Sequence, residues 1–541
     1  MGRIIMNSYQ VYICLVLGIV LLTIITSMIS SFLNKKHLIS KIDNLWKEKK
    51  VLEEFIRPNS RFDYQFKLRR NNNFNFLVDD KTWSDLNFGT LFHQSNFNFT
   101  AIGEMRWYAT LRNMFHIEHR NLLNLFTNDE RFRKEVSYHL ALIGKVVYPI
   151  FPDQIKPANK NTLFMLCPFL PLLSIIIILI NPAIGVFTLF FSVLLNFILS
   201  SVLKRNYNQD LKSLFYTAKV LKQSYLLNRL ENTPKTNVNF RHFSIVRLLS
   251  GFLGKADEQN IGGAFIMFFK KVFMLDYFFF HKIQSTYSKY QEELLTCYDY
   301  ISTLDNHYSL AMYRQTLDNY CEPTITVEKK EIDFENLVHP LLENAVSNSL
   351  KVNNNILLTG SNASGKSTFM KAVASNLILA QTLNTVTADA FIYHPGEVYT
   401  SMANKDDVLS GDSYFMAELK SIHRLLNTKS KNAIYCFIDE IFKGTNTVER
   451  ISASESVLNY LNTYENYKVI AATHDIELAK YLEGNYKNYH FNESIEENHI
   501  YFDYKIKEGK ADTRNAIELL RISQFPLNIY QRALYNTKRF S

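Results

Sequence analysis

The stretch LLTGSNASGKSTFMKAV, residues 357–373, constrains the fold of this chain more than any other feature. It contains the pattern G-x-x-x-x-G-K-S between Gly360 and Ser367, with an apolar run before it and helically spaced apolar residues after it. A strand, a glycine-framed turn and a helix in this order point backbone N–H groups at phosphate oxygens. The pattern therefore predicts an α/β P-loop domain that binds a nucleoside triphosphate.

The residues of this loop are predicted to hold phosphate and metal. Lys366 is expected to neutralise the β and γ phosphates, and the Ser367 hydroxyl is expected to complete a Mg²⁺ shell. A glycine-rich turn without a ligand is the alternative. The remaining loop positions predicted to bind the nucleotide are Gly360, Ser361, Asn362, Ala363, Ser364, Gly365 and Thr368.

Two later apolar runs are predicted to be strands that end at the same site. The run AIYCFIDE ends in Asp439 and Glu440, and buried carboxylates are costly unless they meet a cation. Asp439 is therefore predicted to hold Mg²⁺ through water, and Glu440 to orient or deprotonate the attacking water. The run YKVIAATHD places His474 where its ring can hydrogen-bond the γ phosphate; a solvated or structurally satisfied histidine is the alternative.

Three uncharged apolar runs predict membrane spans. Residues 11–33 form a run long enough to cross a hydrocarbon core of about 30 Å at about 1.5 Å per residue. Residues 162–180 and 183–203 are separated by an Asn-Pro break and predict a membrane hairpin. The alternatives are a cleaved signal peptide for the first run and a buried helical core for the hairpin.

Basic residues next to these runs predict their orientation. Because cytoplasmic flanks carry the excess of Lys and Arg, the N-terminus and the turn at Asn181 are expected outside. The expected location is the cell membrane, with three spans and a P-loop domain that faces cytoplasmic ATP. The flanking basic residues are Lys35, Lys36, Lys41, Lys156, Lys160, Lys204 and Arg205.

The composition of the chain favours an anionic partner but does not identify it. The 541 residues carry a formal net charge of +9, which suits either nucleic acid or phospholipid headgroups. The five cysteines have no paired metal-ligand spacing, which argues against a zinc site or a disulfide framework and suits a reducing compartment.

The segment between the loop and the acidic pair distinguishes families of ATPases. GDSYFMAELKSIHRLL lacks the L-S-G-G-Q-like stretch of transporter-type cassette ATPases. Its residues Gly411, Ser413, Phe415 and Glu418 instead resemble the G-x-S-x-F-x-x-E signature of the MutS mismatch-repair ATPases. DEIFKGTNT and ATHDIEL resemble further segments of that family in the same order, and the resemblance covers roughly residues 301–534.

Earlier segments resemble the family less closely. DDKTWSDLNFGTLF and TAIGEMRWYATLRNMF are similar to the opening of its helical core. The N-terminal part has no F-x-E tripeptide, which the mismatch-reading domain would place there, so direct mismatch reading is not expected. The tripeptide FNE at residues 491–493 lies inside the ATPase region and is interpreted as accidental.

The resemblance also implies partners and further site residues. It implies a homodimer in which each ATP lies between the subunits and Ser413 reaches the γ phosphate bound by the partner. Ala345 stands where many relatives have an aromatic residue that packs on adenine. Val346, Asn348 and Tyr504 are then the candidate adenine contacts, with an ordinary strand residue as the alternative for Tyr504.

The resulting hypothesis is a C-terminal ABC-type P-loop ATPase domain preceded by an all-α core and lever region that carries transmembrane helices. The expected reaction is hydrolysis of ATP to ADP and phosphate with Mg²⁺, coupled to binding of DNA. The alternative is a membrane ATPase that rearranges its own spans or a membrane partner without DNA. The predicted division is an anchor (1–40), a MutS-core-like region (41–160), the hairpin (161–204), a core and lever region (205–325) and the ATPase domain (326–541).

Overall fold

A computed structural model gives the architecture of the chain as two compact units. The helical unit comprises Met1–Phe62, Phe97–Arg106 and His119–Met312, and the sheet unit comprises Asp63–Asn96, Trp107–Glu118 and Tyr313–Ser541. Each unit is described by itself below. The residues that the structure describes are 8–50, 63, 74, 76–117, 119–145, 162–206, 208–247, 268–328, 330–361, 364–402, 414–428, 430–496, 499–510 and 516–540.

The helices follow the chain in this order: α1 Ser8–Glu48, α2 Asp80–Asp85, α3 Phe88–Ser95, α4 Ala101–Leu111, α5 Arg120–Asn128, α6 Glu130–Ile143, α7 Thr162–Leu166, α8 Leu170–Ile180, α9 Pro182–Asn206, α10 Asn208–Leu227, α11 Leu275–Lys289, α12 Gln291–Thr316, α13 Lys366–Leu383, α14 Tyr414–Leu426, α15 Thr447–Asn462, α16 Ile476–Tyr481, α17 Ala516–Ile522 and α18 Leu527–Phe540. The strands are β1 Thr324–Ile325, β2 Ile332–Leu337, β3 Asn348–Val352, β4 Ile356–Thr359, β5 Ala390–Tyr393, β6 Gly396–Ser401, β7 Ala433–Asp439, β8 Tyr467–Ala472, β9 Lys487–Glu496 and β10 His499–Glu508.

The helical unit contains the predicted hairpin. α8 ends at Ile180 and α9 begins at Pro182, as the Asn-Pro break predicts. The two helices pack closely because Gly185 has no side chain: a Cβ there would lie 2.4 Å from the backbone nitrogen of Ile178. The side chains of Leu179 and Ile180 are more than 80% exposed, so the tip of the hairpin is apolar and uncovered by the described residues.

One polar residue inside the hairpin replaces a missing backbone donor. Pro171 has no N–H and cannot bond the carbonyl of Cys167 four residues earlier. The buried Asn196 of α9 donates its Nδ2 to that carbonyl at 2.9 Å and to the carbonyl of Val272 at 2.7 Å. Asn196 therefore joins α9 to the start of the hairpin and to residue 272.

The membrane spans stay predictions. Among the described residues, one helical segment is long and apolar enough to cross a bilayer, Pro182–Val202, with a mean hydropathy of 2.2. Phe164–Ile180 is apolar but shorter. The first predicted span, residues 11–33, lies within α1, whose exposed side chains include Leu22, Met28 and Phe32.

A buried carboxylate organises the rest of the helical unit. Asp305 of α12 accepts hydrogen bonds from the backbone N–H of Phe99 at 3.0 Å and of Thr100 at 2.8 Å, and from the Thr100 hydroxyl at 2.6 Å. These bonds cap the start of α4, and burial nevertheless raises the pKa of Asp305 to about 6. A Cβ at Gly103 would lie 2.1 Å from Asp305 Oδ2, so glycine is required for this approach.

The sheet unit is built around a six-stranded sheet in the order β10-β9-β4-β8-β7-β6. β9, β4, β8, β7 and β6 are mutually parallel, and β10 pairs antiparallel with β9. Each residue of β4 is buried, as expected for a central strand of a parallel sheet. The carboxyl ends of β4, β7 and β8 therefore lie side by side, where open α/β sheets bind ligands. A smaller sheet has the order β1-β5-β2-β3.

Candidate nucleotide site

The loop after β4 has the backbone that its glycines predict. Gly360 and Gly365 adopt φ angles of +137° and +103°, which residues with a Cβ rarely adopt. A Cβ at Gly360 would lie 2.8 Å from the carbonyl oxygen of Phe491. Residue 365 ends the loop at the start of α13, so the helix N-terminus opens onto the loop.

Lys366 lies in the centre of the loop. It is 3% exposed, and its Nζ donates to the carbonyls of Gly360 at 2.7 Å and Ser361 at 2.6 Å. Burial lowers the pKa of Lys366 to about 8, although three nearby carboxylates act in the opposite direction. The ammonium group therefore lies where a phosphate group could replace the two carbonyls as its partner.

Asp439 is a buried carboxylate at the end of β7. The Ser367 hydroxyl donates to it, and its Oδ1 is buried with no hydrogen-bond partner among the described residues. Burial raises the pKa of Asp439, and the bond from Ser367 offsets this only in part. A hydroxyl and a carboxylate with a free oxygen are hard oxygen ligands of the kind that Mg²⁺ prefers. Asp439 and Ser367 thus lie together as the sequence predicted.

Glu440 and His474 are brought into contact. Glu440 has a left-handed φ of +55°, and its two carboxylate oxygens accept from His474 Nε2 and from Lys443 Nζ. Burial raises the pKa of Glu440, but the bonds from His474 and Lys443 outweigh burial and lower it to about 2. His474 Nδ1 also lies 3.0 Å from the carbonyl oxygen of Gly360, so the ring links the loop to the carboxylate.

An ion pair just past β8 holds the segment that carries His474. Arg450 of α15 donates Nε and Nη2 to the two oxygens of Asp475 at 2.9 and 2.7 Å. Such two-point pairs fix direction as well as distance. The backbone N–H of Thr473 donates to the carbonyl of Leu358 at 3.0 Å, which anchors the same turn to β4.

Glu418, the last residue of the predicted G-x-S-x-F-x-x-E signature, positions the turn after β7. It is 5% exposed and accepts from the backbone N–H of Lys443 at 3.2 Å and of Gly444 at 3.3 Å. Phe415 of the same signature packs against Phe442, with ring centroids 6.1 Å apart. The signature helix α14 therefore supports the segment that supplies the Lys443 partner of Glu440.

Comparison with known proteins assigns this region. Residues 356–541 match the family model of MutS domain V. The chain is 30% identical over 277 residues to the DNA mismatch repair protein MutS of Lactobacillus helveticus, 32% over 281 residues to that of Clostridium kluyveri and 30% over 275 residues to that of Fusobacterium nucleatum. Each match covers 49% of this chain.

Residues 356–541 are therefore a MutS domain V, and about half of the chain is similar to MutS proteins. The chain spans about a third of the length of the curated relatives that it matches, with 32%, 32% and 30% of those proteins covered. The matched domain contains the phosphate loop, the acidic pair and His474. The predicted family is thereby confirmed, and the mixed helix and sheet composition agrees with it.

In the candidate adenine pocket, Asn348 bonds the strand that carries Tyr504. Its Nδ2 donates to the carbonyl of Tyr504 at 3.0 Å, and its Oδ1 accepts from the N–H of Ile506 at 2.8 Å. Both ends of the amide thus bond to β10, where the ladder with β9 is irregular. Asn348 is buried and holds the strand, whereas Val346 is exposed and open to a ligand.

Tyr504 lies against the phosphate loop. A Cβ at Gly365 would be 3.0 Å from Tyr504 Cδ1, so the ring covers the glycine at the start of α13. The residue has a left-handed φ of +51°, is 42% exposed and stacks on Phe502 with ring centroids 5.8 Å apart. The ring is therefore available to a ligand.

The structure describes some of the other residues that the sequence predicts to bind the nucleotide. Ser361 and Ser364 lie within the loop, where the Ser364 hydroxyl donates to the carbonyl of Ser361 at 2.8 Å, and Thr368 is exposed in the first turn of α13. Asn362, Ala363 and the signature residue Ser413 lie outside the described residues.

Sequence reasoning missed Glu493. The carboxylate of this β9 residue accepts a hydrogen bond from the Ser361 hydroxyl and acts electrostatically on Lys366. The strand register indicates this position. β9 pairs in parallel with β4, and Thr359 at the end of β4 lies opposite His490. Residue 493, three residues further along β9, therefore lies beside the loop that follows β4. The interpretation of residues 491–493 as an accidental F-x-E tripeptide stays a prediction.

Proposed function

We propose that this chain is a membrane-anchored MutS-family ATPase that hydrolyses ATP to ADP and phosphate with Mg²⁺, acts as a homodimer and binds DNA. The observation that carries the ATPase proposal is the buried, unpartnered Oδ1 of Asp439 next to the Ser367 hydroxyl and the loop that holds Lys366. A buried carboxylate oxygen without a partner is costly, and a cation would satisfy it.

The donor set fits Mg²⁺. Asp439 and Ser367 would hold the ion, directly or through water, and when bound Mg²⁺ would offset the negative charge of the phosphate oxygens. Lys366 would exchange its two loop carbonyls for phosphate oxygens. The N–H groups at the start of α13 would also point at the phosphates.

Glu440 and His474 supply the groups for hydrolysis. Glu440 Oε1 would take a hydrogen bond from the attacking water and receive its proton, provided that His474 moves its Nε2 away. A His474 ring released from Glu440 could donate to the γ phosphate instead. The contact between the two residues supports a resting arrangement in which the base is held by His474 and Lys443.

The dimer and its trans contact rest on the family resemblance. Ser413 of one subunit would complete the site of the other by donating to the γ phosphate. ATP binding would then close the dimer, and hydrolysis would reopen it. The support within this chain is Glu418, which ties the signature helix to the turn that carries Lys443.

The membrane proposal rests on exposed apolar helices. The window Pro182–Val202 has a mean hydropathy of 2.2 and is only 17% buried within the chain. Burying such a surface in lipid would remove it from water. We propose three spans, residues 11–33 and the two helices of the hairpin, with the ATPase domain in the cytoplasm as the basic flanks require.

DNA is the proposed partner because the relatives are named DNA mismatch repair proteins and because the net charge is +9. The second candidate is a membrane ATPase that moves its own spans or a membrane partner without DNA. The exposed hairpin favours this second candidate, and the two make different predictions for added DNA.

The test uses the full chain purified in detergent. Phosphate release from ATP should require Mg²⁺ and should disappear in Lys366→Ala, with Lys371→Ala on the same helix as the matched control. Duplex DNA should bind with an affinity that falls steeply between low and physiological salt. Hydrolysis without any salt-dependent DNA binding would select the second candidate, and no hydrolysis under any condition would overturn both.

A further inference from the structure

Three carboxylates surround Lys366, and the proposed reaction uses only two of them. Asp439 and Glu440 have roles in metal binding and water activation. The third, Glu493, comes from β9 and receives the hydroxyl of Ser361. A carboxylate beside a loop that binds an anionic ligand repels that ligand. The position of Glu493 therefore has a consequence for nucleotide binding.

The position of Glu493 follows from tight packing between β9 and the loop. The two strands pair in parallel register from Ile356 with Lys487 to Thr359 with His490. Gly360 approaches the carbonyl of Phe491 so closely that a Cβ would be 2.8 Å away. Residue 493 therefore lies beside the loop, where its half-buried carboxylate reaches Ser361.

These contacts give Lys366 and Ser361 hydrogen-bond partners within the chain. The Lys366 ammonium bonds two carbonyls of its own loop, and one of these belongs to Ser361, whose hydroxyl bonds Glu493. Ser361 therefore links the ammonium to the third carboxylate. A triphosphate must displace these bonds and must also approach a fixed negative charge.

We propose that Glu493 sets the nucleotide affinity of this site: its carboxylate holds the loop through Ser361 and repels the phosphate chain, so that nucleotide binds more weakly than the loop alone would allow. The inference rests on the proposed ATP site. It identifies Glu493 as an affinity-determining residue, and the size of the effect should depend on the charge of the ligand.

A substitution that removes only the charge of Glu493 tests this proposal. Glu493→Gln keeps the length of the side chain and an acceptor for Ser361 but removes the negative charge. We expect ATP to bind about tenfold more tightly to this variant, equivalent to about 1.4 kcal/mol. Glu508→Gln, at the other end of the same hairpin and paired with Lys487 at 3.0 Å, is the matched control and should leave ATP affinity unchanged.

Ligand charge separates repulsion from a structural effect. Isothermal titration of the full chain in detergent with ATP, ADP and adenosine should show the largest gain for ATP, a smaller gain for ADP and none for adenosine. The gain should be larger in EDTA than with Mg²⁺, because the metal offsets ligand charge. It should shrink at high salt because the site is partly open to solvent.

Each other outcome contradicts the proposal in a recognisable way. Equal gains for all three ligands would mean that the substitution relaxes the fold. Weaker ATP binding with Mg²⁺ would mean that Glu493 favours the bound metal. Suppose that the native chain binds ATP and Lys366→Ala does not. An ATP affinity of Glu493→Gln equal to that of the native chain then overturns this inference alone. A native chain that binds no ATP overturns both this inference and the proposed function.

Discussion

Asp85 accepts a hydrogen bond from the Thr400 hydroxyl at 2.8 Å, although 315 residues separate the two in the sequence. The same Asp85 oxygen accepts from the N–H of Met402 at 3.1 Å. Thr82 also accepts from the N–H of Thr400 at 3.3 Å, so α2 covers the open edge of β6. In the sequence β6 precedes residues 411–418, which carry the MutS-like signature, so α2 supports the last described strand before the signature.

Removal of the Asp85 carboxylate should destabilise the sheet unit. Asp85→Ala leaves two buried donors, the Thr400 hydroxyl and the Met402 N–H, without their acceptor, which costs about 2–3 kcal/mol. In a domain of this size that lowers the melting temperature by roughly 4–10 °C. Thermal unfolding followed by fluorescence measures it, with the exposed Asp318→Ala as the control. Equal melting temperatures for Asp85→Ala and the native chain would show that α2 does not stabilise the sheet edge.

The sequence predicted the local elements of the site because each has a strong local signal. Gly360 and Gly365 favour left-handed backbone, and the apolar runs before Asp439 and His474 have the length that is typical of buried strands. The contacts of Asp85 and Glu493 carried no such signal. Both depend on which strands become neighbours in the sheet, and neither the order β9-β4-β8 nor the exposed edge of β6 can be derived from local pattern.

Asn348 shows what a motif position alone does not specify. Its amide bonds the Tyr504 carbonyl and the Ile506 N–H of β10, and its role as an adenine contact stays a prediction. A motif shared with relatives shows that a residue type is needed at a place. It does not show whether the side chain contacts the ligand or the strand that holds the next residue.

Glu440→Gln should separate binding from turnover. The substitution removes the base but keeps Asp439 and Lys366, so ATP should still bind while turnover falls by about 10²-fold or more. Single-turnover phosphate release and ATP binding, measured on one preparation, check the two quantities. Glu455→Gln, at a half-buried residue of α15 that bonds Asn459, should change neither. Near-native turnover in Glu440→Gln would remove this residue as the base.

Ser413 should act on the nucleotide of the partner subunit. Ser413→Ala should spare ATP binding but suppress hydrolysis in the pure variant. When it is mixed with Lys366→Ala, a heterodimer contains one site with both an intact loop and an intact Ser413. Hydrolysis should therefore reappear in the mixture, with a maximum near equal amounts. Failure to recover activity at any ratio, with subunit exchange shown by labelled chains, would contradict the trans contact.

The hairpin should place Asn181 outside the cell. A cysteine at this position, between the exposed Ile180 and Pro182, should react with an impermeant thiol reagent on intact cells. A cysteine at Lys36 or Lys204 should react only after the membrane is permeabilised. Labelling of all three positions before permeabilisation, or of none, would rule out the proposed topology.

Tyr504 should contribute to nucleotide affinity and little to the chemical step. Its ring covers Gly365 and is 42% exposed, so an adenine could rest on the open face. Tyr504→Ala should raise the Michaelis constant for ATP several-fold, in line with a stacking loss of about 1 kcal/mol. Turnover at saturating ATP should change little because the lost interaction is the same in the ground and transition states. Tyr504→Phe keeps the ring and should keep the Michaelis constant, and Tyr501→Ala, on the same strand and 52% exposed, should match the native chain. If Tyr504→Ala binds ATP as well as the native chain does, the base is held by other residues around Val346, and the ring serves only to cover the loop.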